Sequence, residues 1–248
     1  MRFFSRDPAQ PWLARQEPVP PGLDAAIGAV DWLALPHPDT DYYQAECIEP
    51  SLRQLASSTS VRTIVLADAA LAGCGLVNEH SAQLFPAAVP ATPILLDILL
   101  GDGHPQARQA AKHLLAEAMQ CLPHAGYTRT PTGIPLCCAV AHLVQERRDA
   151  LATLGELTRG LLRVADEHWS FRVTEVGTDH GGTFVLGTLA GKLPPRPDPA
   201  ECHVDGSWKP VGPVRLEKPL RLRLDEAKPE DVPAGGLLLA RDCGECVH

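Results

Sequence analysis

The most regular pattern in the chain lies over residues 103–115, which read Gly103-His104-Pro105-Gln106-Ala107-Arg108-Gln109-Ala110-Ala111-Lys112-His113-Leu114-Leu115. From Ala107 to Ala118, small and aliphatic side chains recur at intervals of three and four residues, the spacing of one helix face. Pro105 stands where the first turn of a helix needs no backbone N–H. The spacing therefore predicts a helix over 105–121 with a buried face of Ala and Leu.

Helical patterns recur in pairs along the first two thirds of the chain. The predicted pairs are 40–56 with 60–72, 92–100 with 105–121, and 135–153 with 156–168. Thr92 as the cap and Pro93 at the first turn predict the start of the helix over 92–100, and Gly101 predicts its end. The pairs begin about 43 to 52 residues apart, close to the period of stacked helical repeats.

This organisation resembles HEAT repeats, and the segment 103–115 is similar to the second helix of such a repeat. The resemblance covers about 130 residues within 22–168 and implies an α-α superhelix. The alternative is an ordinary helical bundle without a superhelix.

The composition changes near residue 168, where Val, Thr, Gly and Pro replace Ala and Leu. Short alternating runs predict strands over 171–176, 183–189, 220–224 and 237–240. The proline-rich segment 194–199 predicts a loop. These runs indicate a small all-β barrel over 168–242.

The order of these strands is similar to the second, β-barrel domain of translational GTPases of the elongation-factor Tu class. The residues that carry this resemblance are Phe171, Val173, Gly187, Gly191, the run 220–224 and the acidic turn Glu230, Asp231, Val232 and Gly235. The proline-rich loop departs from the family pattern. No G-x-x-x-x-G-K-S/T phosphate loop occurs, so GTP hydrolysis does not follow from the resemblance.

The expected fold is a multidomain α + β protein. An irregular segment spans 1–21, a HEAT-like α-helical domain 22–167, an elongation-factor domain-2-like barrel 168–242 and a Cys-containing tail 243–248.

Composition narrows the class of protein. The chain has 248 residues, a net charge of −8 and 45% hydrophobic residues, with no apolar run of the ~18 residues that a membrane helix needs. The N-terminus lacks the apolar core of a signal peptide, which predicts a cytoplasmic protein without membrane contact. The negative charge argues against general nucleic-acid binding. High Ala, Arg, Pro and Gly content is typical of a high-GC, actinobacterial-like bacterial genome.

Eight cysteines are present. Five of them, Cys47, Cys74, Cys121, Cys137 and Cys138, lie in apolar helical stretches, which favours buried thiols that pack as small hydrophobes. Cys243 and Cys246 have the spacing of a zinc-binding pair, and Cys202, His203 and His248 are the candidates to complete four ligands. A disordered tail is the alternative, and the sequence alone assigns no metal ligand and no cofactor.

No catalytic motif is found. H-E-x-x-H and G-x-S-x-G are absent, and the run Asp166-Glu167-His168 points in directions about 100° apart on a helix. The sequence therefore predicts a protein that is not an enzyme.

Two charged surfaces are candidates for binding. Asp39, Tyr43, Glu46 and Arg53 are predicted on the outer face of the helix 40–56, where Tyr and acidic groups suit a basic partner. The basic residues Arg215, Lys218, Arg221 and Arg223 are the candidate contact of the barrel with RNA or another polyanion, although the run lacks aromatic stacking platforms.

A helical solenoid without a catalytic set is most often a binding scaffold. Small HEAT-like bacterial proteins resemble immunity proteins, which implies a non-enzymatic module that neutralises a basic toxin domain through its helical surface. One alternative is a translation-associated or RNA-contacting factor that uses the barrel. The other is a zinc-binding protein that uses the C-terminal cysteines.

Overall fold

The computed structural model describes residues 18–218, 221–241 and 243. Helices occupy the first part of these residues, and a closed six-stranded antiparallel barrel follows, so the predicted mixture of a helical unit and a β-barrel is confirmed. The last helix ends at Glu167 and the first barrel strand begins at Ser170.

The helical unit contains eight α-helices within the described residues. They are α1 (Pro21–Gly28), α2 (Ile48–Ser57), α3 (Val61–Ala70), α4 (Ala88–Leu100), α5 (Pro105–Gln120), α6 (Leu136–Glu146), α7 (Arg148–Ala152) and α8 (Glu156–Glu167). Helices α2 and α3, α4 and α5, and α6 and α8 form three hairpins. Within one layer α4 contacts α2 and α6, and within the other α5 contacts α3 and α8.

Helix α5 forms as its sequence predicts. Pro105 is its first residue, and the backbone N–H of Gln106 donates to Nδ1 of His104 at 3.1 Å. The predicted face is buried, with Ala111, Leu114 and Leu115 fully enclosed.

Two predicted helix starts are wrong, and each concerns a proline. Helix α2 begins at Ile48 instead of residue 40 because Pro50, in its first turn, lacks an N–H and its ring excludes a further α-helical turn upstream, where the chain forms a 3-10 turn over Ala45–Cys47. Helix α4 begins at Ala88, so Pro93 lies inside it. Thr92 does not cap this helix, and its hydroxyl donates to the Ala88 carbonyl at 2.7 Å.

Three two-residue strands edge the helical unit: β1 (Val77–Asn78), β2 (Gln83–Leu84) and β3 (Leu122–Pro123). Strand β2 pairs antiparallel with β1 and parallel with β3. This small sheet ties the segment after α3 to the segment after α5.

The barrel strands are β4 (Ser170–Asp179), β5 (Gly182–Ala190), β6 (Asp198–Val204), β7 (Ser207–Lys218), β8 (Arg221–Leu224) and β9 (Leu237–Ala240). Their order around the barrel is β4-β5-β8-β7-β6-β9, and β9 closes on β4. Every pairing within it is antiparallel.

Strands β6 and β7 form a hairpin that the sequence reading missed. Asp205 and Gly206 connect them with φ angles of 48° and 79°, the left-handed conformation that a two-residue Asp-Gly turn needs. The proline-rich segment is a loop only up to residue 197, because Pro199 lies in β6 opposite Pro213 of β7. Proline is accommodated there since the bulge after Ala200 interrupts the pairing.

The buried apolar residues form two separate clusters, one in the helical unit and one in the barrel. Phe85, Leu95 and Leu115 belong to the first, and Trp169 and Phe171 to the second. Cys243 packs against both clusters, which places it at the junction of the two units.

Candidate metal centre

Two adjacent cysteines occupy the first turn of helix α6. The helix begins at Leu136, after Pro135, so Cys137 and Cys138 are its second and third residues. Both are buried, as the sequence predicts, and helices α4, α5 and α8 surround α6. At the start of a helix, thiolates are favoured by the free backbone N–H groups and the helix dipole.

His168 follows the last residue of α8 and is buried. Its Nε2 lies 2.9 Å from the carbonyl oxygen of Met119. A carbonyl only accepts, so Nε2 carries the proton and the Nδ1 lone pair is free. Nδ1 lies 3.7 Å from Sγ of Cys138 and 3.6 Å from Sγ of Cys243. The imidazole is thus oriented by the backbone with its basic nitrogen toward two sulfur atoms.

The backbone around His168 is held in place by a second side chain. The amide Nε2 of Gln145, on α6, donates to the carbonyls of Ala165 at 2.6 Å and His168 at 3.1 Å. These bonds satisfy carbonyls at the end of α8, where no helical partner is available. The position of His168 is therefore fixed relative to α6.

Cys243 reaches the cluster from the barrel. It follows strand β9, which ends at Ala240, and the N–H of Arg241 donates to the Pro199 carbonyl at 2.9 Å. This bond continues the pairing of β9 with β6 and directs the chain toward the helical unit. One thiol thereby comes from the barrel side and two from α6.

Four ligand atoms therefore converge from three parts of the chain. One ligand atom from each of Cys137, Cys138, His168 and Cys243 lies within 4.8 Å of all the others. A tetrahedral zinc ion, with Zn–S of about 2.3 Å and Zn–N of about 2.05 Å, separates sulfur from nitrogen by about 3.6 Å and sulfur from sulfur by about 3.8 Å. The two measured sulfur–nitrogen distances agree with this value. The set of three thiols and one imidazole is a common ligand set of structural zinc.

The thiols influence each other's ionisation. Hydrogen bonds from Cys138 and Cys243 hold the pKa of Cys137 well below its usual value, and the bond to Cys137 is the main cause that raises the pKa of Cys138. The neighbouring His142 stays neutral at pH 7, because burial is the main cause that lowers its pKa to about 4. A divalent cation changes this balance, since a coordinating thiol is deprotonated outright.

A buried ion pair lies at the same junction. Arg129, before α6, donates to both carboxylate oxygens of Glu201 on β6, at 2.7 and 2.9 Å. Nε2 of His203 lies 2.8 Å from the same carboxylate. Burial alone would raise the pKa of Glu201, but the bonds from His203 and Arg129 outweigh it and lower that pKa. The guanidinium also stacks 3.9 Å above the Trp208 ring.

The predicted partner-binding face is not assembled as expected. Tyr43 lies outside α2 and is 7% exposed, stacked on His37 and against Phe85, and burial raises its pKa to about 12. Arg53 is engaged with Glu49 and Asp24. Asp39 and Glu46 are exposed. The prediction of a shared outer face is wrong for Tyr43, because the helix starts five residues after it.

The predicted basic cluster of the barrel is largely neutralised. Arg223 is buried and pairs with Asp179 and Glu217. Arg221 pairs with the same two carboxylates, and Arg215 with Asp225. The side chain of Lys218 lies outside the described residues. Strong positive potential is therefore not expected at these three arginines.

The four mutually close groups differ from the zinc ligands that the sequence predicts. Cys243 belongs to the cluster, but Cys202 is buried in the barrel core and is not one of the four mutually close groups. Cys246 and His248 lie outside the described residues. The prediction from the sequence missed His168, Cys137 and Cys138 as ligands.

No protein-family model matches this sequence, and no curated protein matches it. The resemblances to HEAT repeats and to the elongation-factor barrel therefore rest on the residues of the chain itself. Within the part of the chain that the structure describes, no helix combines the length and apolar character needed to cross a membrane.

Proposed function

We propose that this chain is a zinc-binding protein in which Cys137, Cys138, His168 and Cys243 hold one zinc ion. The observation that carries the proposal is the orientation of His168. Its Nε2–H is committed to the Met119 carbonyl, and its Nδ1 faces two thiols at 3.6 and 3.7 Å. Metal-bound histidines usually donate their second ring nitrogen to such an oxygen.

The simpler explanation is that the thiols pack as small hydrophobes. Their arrangement argues against it, because three thiols from two separate segments of the chain meet one buried imidazole. A thiol–imidazole contact at this length is a weak hydrogen bond, whereas the distances match two ligands of one tetrahedral ion.

The zinc has a structural role in this proposal. Four protein ligands complete a tetrahedral shell and leave no open position for water or substrate, unlike a catalytic zinc. Three ligands belong to α6 and the end of α8, and the fourth follows β9. The metal therefore fastens the end of the barrel to the helical unit.

Elemental analysis of the purified full chain tests the proposal. We expect one zinc per chain after dialysis against metal-free buffer. Replacement of the zinc by Co²⁺ should give the intense visible bands of a tetrahedral site and a near-ultraviolet thiolate charge-transfer band. A chain that holds no stoichiometric zinc and gives no such cobalt spectrum would refute the proposal.

Variants identify the ligands. Cys138→Ser and His168→Ala should each reduce zinc affinity at least 10-fold. Cys121→Ser is the matched control, because Cys121 is also buried, but its thiol donates to the Glu117 carboxylate at 3.8 Å and is not one of the four mutually close groups. Cys246→Ser should keep its zinc, and a loss of zinc in that variant would assign the metal to the tail pair Cys243 and Cys246.

As a second candidate function, we propose that the helical unit binds a basic protein partner, as an immunity-type protein would bind a toxin domain. The supporting observation is the outer face of α3. Val61, Val65 and Leu66 are 53%, 47% and 46% exposed there. The carboxyl groups of Asp68 and Glu79 line a pocket beside Val65. Apolar area next to negative charge suits a basic partner.

The test is affinity capture from the source cells with wild-type and altered bait. A basic protein recovered with the wild type should be lost with Val65→Glu and with the pair Asp68→Asn and Glu79→Gln. Leu216→Glu, on the barrel, is the control, because Leu216 is equally exposed at 49%. Recovery of the same proteins with every variant would exclude this face.

We also propose the two architectural resemblances that the sequence indicates. The two layers of helices, formed by three successive hairpins, support a HEAT-like superhelix. The closed barrel with the acidic turn at 229–236 before its last strand supports a fold like the second domain of elongation-factor Tu. The ion pairs of Arg215, Arg221 and Arg223 make the RNA-contacting alternative the least supported.

A further inference from the structure

A second pair of cysteines lies in the helical unit, apart from the proposed zinc ligands. Cys47 ends a short 3-10 turn (Ala45–Cys47) before α2, and Cys74 lies in a single π-helical turn (Leu71–Gly75) after α3. Their sulfur atoms are 3.5 Å apart and both residues are partly exposed. They are 27 positions apart in the sequence, so the approach is made by the fold.

The backbone around this pair favours the approach. The N–H of Gln44 donates to the Cys74 carbonyl at 2.9 Å, and that of Leu76 to the Leu71 carbonyl at 2.8 Å. A Cβ on Gly75 would lie 3.3 Å from Cγ1 of Ile48 and 3.4 Å from the Cys47 sulfur, so glycine permits the close contact. Single π turns of this kind are frequent at functional sites.

The two thiols differ in reactivity. The hydrogen bond from Cys47 lowers the pKa of Cys74, and the same bond, with burial, raises the pKa of Cys47. Cys74 is therefore the first of the two to form the nucleophilic thiolate. The other described cysteines outside the zinc cluster, Cys121 and Cys202, are buried and have no sulfur partner.

We infer that Cys47 and Cys74 form a reversible disulfide with each other. The oxidant is a low-molecular-weight disulfide such as oxidised glutathione. The Cys74 thiolate attacks one sulfur of oxidised glutathione and releases one glutathione thiolate. Cys47 then loses its proton to solvent and attacks the Cys74 sulfur of the mixed disulfide, which releases the second glutathione. Each glutathione thiolate takes up a proton, so two protein thiols are oxidised and one oxidised glutathione is reduced to two glutathione molecules.

The new bond requires the sulfur atoms to approach by about 1.5 Å, to a disulfide length of about 2.05 Å. It closes a loop of about 28 residues that contains α2 and α3, and its main effect is on the unfolded chain. In the folded chain the disulfide joins the start of α2 to the end of α3. The inference is independent of the zinc proposal, since none of the zinc ligands takes part.

Peptide mapping of the full chain tests it. The protein as purified, with its zinc if it holds any, is equilibrated with glutathione at several ratios of reduced to oxidised form, alkylated and digested with trypsin. Cys47 and Cys74 fall in the peptides 16–53 and 63–108, each with one cysteine. We expect these peptides to become linked as oxidised glutathione increases, to separate again with reduced glutathione, and the melting temperature to rise by about 5–10 °C on linkage.

Variants test the order of the steps. Cys47→Ser should accumulate glutathione on Cys74, and Cys121→Ser should cross-link like the wild type. The inference is overturned if both cysteines stay free to alkylation, if each carries its own glutathione without a link, or if either joins another cysteine. The wild-type map decides the question even if a variant fails to fold.

Discussion

The replacement of Arg129 by Leu tests the junction between the two units most directly. Glu201 is 0% exposed and Arg129 18% exposed, and the guanidinium holds both carboxylate oxygens. Removal of Arg129 leaves a buried carboxylate whose remaining side-chain partner is the imidazole of His203. A buried charge that loses its partner costs about 3–5 kcal/mol, and the cation–π contact with Trp208 adds about 0.5–1 kcal/mol.

Replacement of the other partner, Glu201, is expected to lower the free energy of unfolding by less than Arg129→Leu does. In Glu201→Gln the guanidinium keeps some access to water, and the neutral amide accepts one of its hydrogen bonds, so about 1–2 kcal/mol is expected. The double variant removes both charges and should be more stable than the sum of the two single losses predicts, by about 2 kcal/mol. The pair therefore has a measurable coupling free energy.

Urea unfolding at pH 7, followed by tryptophan fluorescence, gives the free energies of unfolding for all four proteins. Arg159→Leu is the control, because its ion pair with Glu156 is exposed at 73% and 79% and should contribute less than about 0.5 kcal/mol. A loss below 1 kcal/mol for Arg129→Leu, or strict additivity in the double variant, would refute the reasoning.

Three further outcomes are expected. The pKa of Glu201 is lower in the folded state than in the unfolded chain, so its contribution to stability is present above about pH 4.3 and is lost as the pH falls through the folded pKa. Glu201→Gln lacks this carboxylate and should therefore lose less stability than the wild type between pH 5 and pH 3 in urea titrations. Cys138→Ser should lower the free energy of unfolding of the zinc-loaded protein by about 4 kcal/mol or more, and added EDTA should reduce the difference from the wild type. Gly187→Ala should destabilise the barrel by about 3 kcal/mol or more in thermal melts, because its Cβ would lie 2.0 Å from the Arg172 carbonyl oxygen, whereas Gly160→Ala, which meets nothing within 4 Å in α8, should stabilise by about 0.5–1 kcal/mol.

Much of the architecture follows from local patterns. The small-residue stripe of α5 and the alternating runs of β4 and β5 report burial on one face, which is a property of each segment alone. The hairpin of β6 and β7 was also within reach of the sequence, because Asp205-Gly206 is a strong two-residue turn signal.

Helix boundaries are harder to predict, because proline occurs both at the first residue of a helix and inside one. At Pro105 it marks the first residue of a helix, but Pro93 lies inside α4. The interior position is accommodated because α4 is buried along most of its length, and Thr92 supplies a hydroxyl to a main-chain carbonyl. Tertiary packing here outweighs a local rule about helix starts.

The metal centre was beyond the sequence for a different reason. Adjacent residues on a helix point about 100° apart, so neither Cys137 with Cys138 nor Asp166-Glu167-His168 suggests a shared site. In the fold His168 lies just past the end of α8, so the helical direction expected for Asp166-Glu167-His168 does not apply to it. Cys137 and Cys138 lie in the first turn of α6, and their sulfur atoms are nevertheless within 4.8 Å of each other. The contact depends on residues 30 and 75 positions from His168.

Polar and metal-ligating groups lie at the junction of the two units, and the separate packing of the two cores explains why they are needed there. The two apolar cores are separate clusters, and burial of apolar area is non-directional, so it sets no particular orientation between two compact units. Directional bonds do set a particular orientation between the two units. The bidentate pair of Arg129 with Glu201 and the ligands His168 and Cys243 link the helical unit to the barrel at two separate points. Loss of the metal should therefore loosen the end of β9 while the Arg129 contact still holds β6, and hydrogen exchange should rise first at residues 237–241.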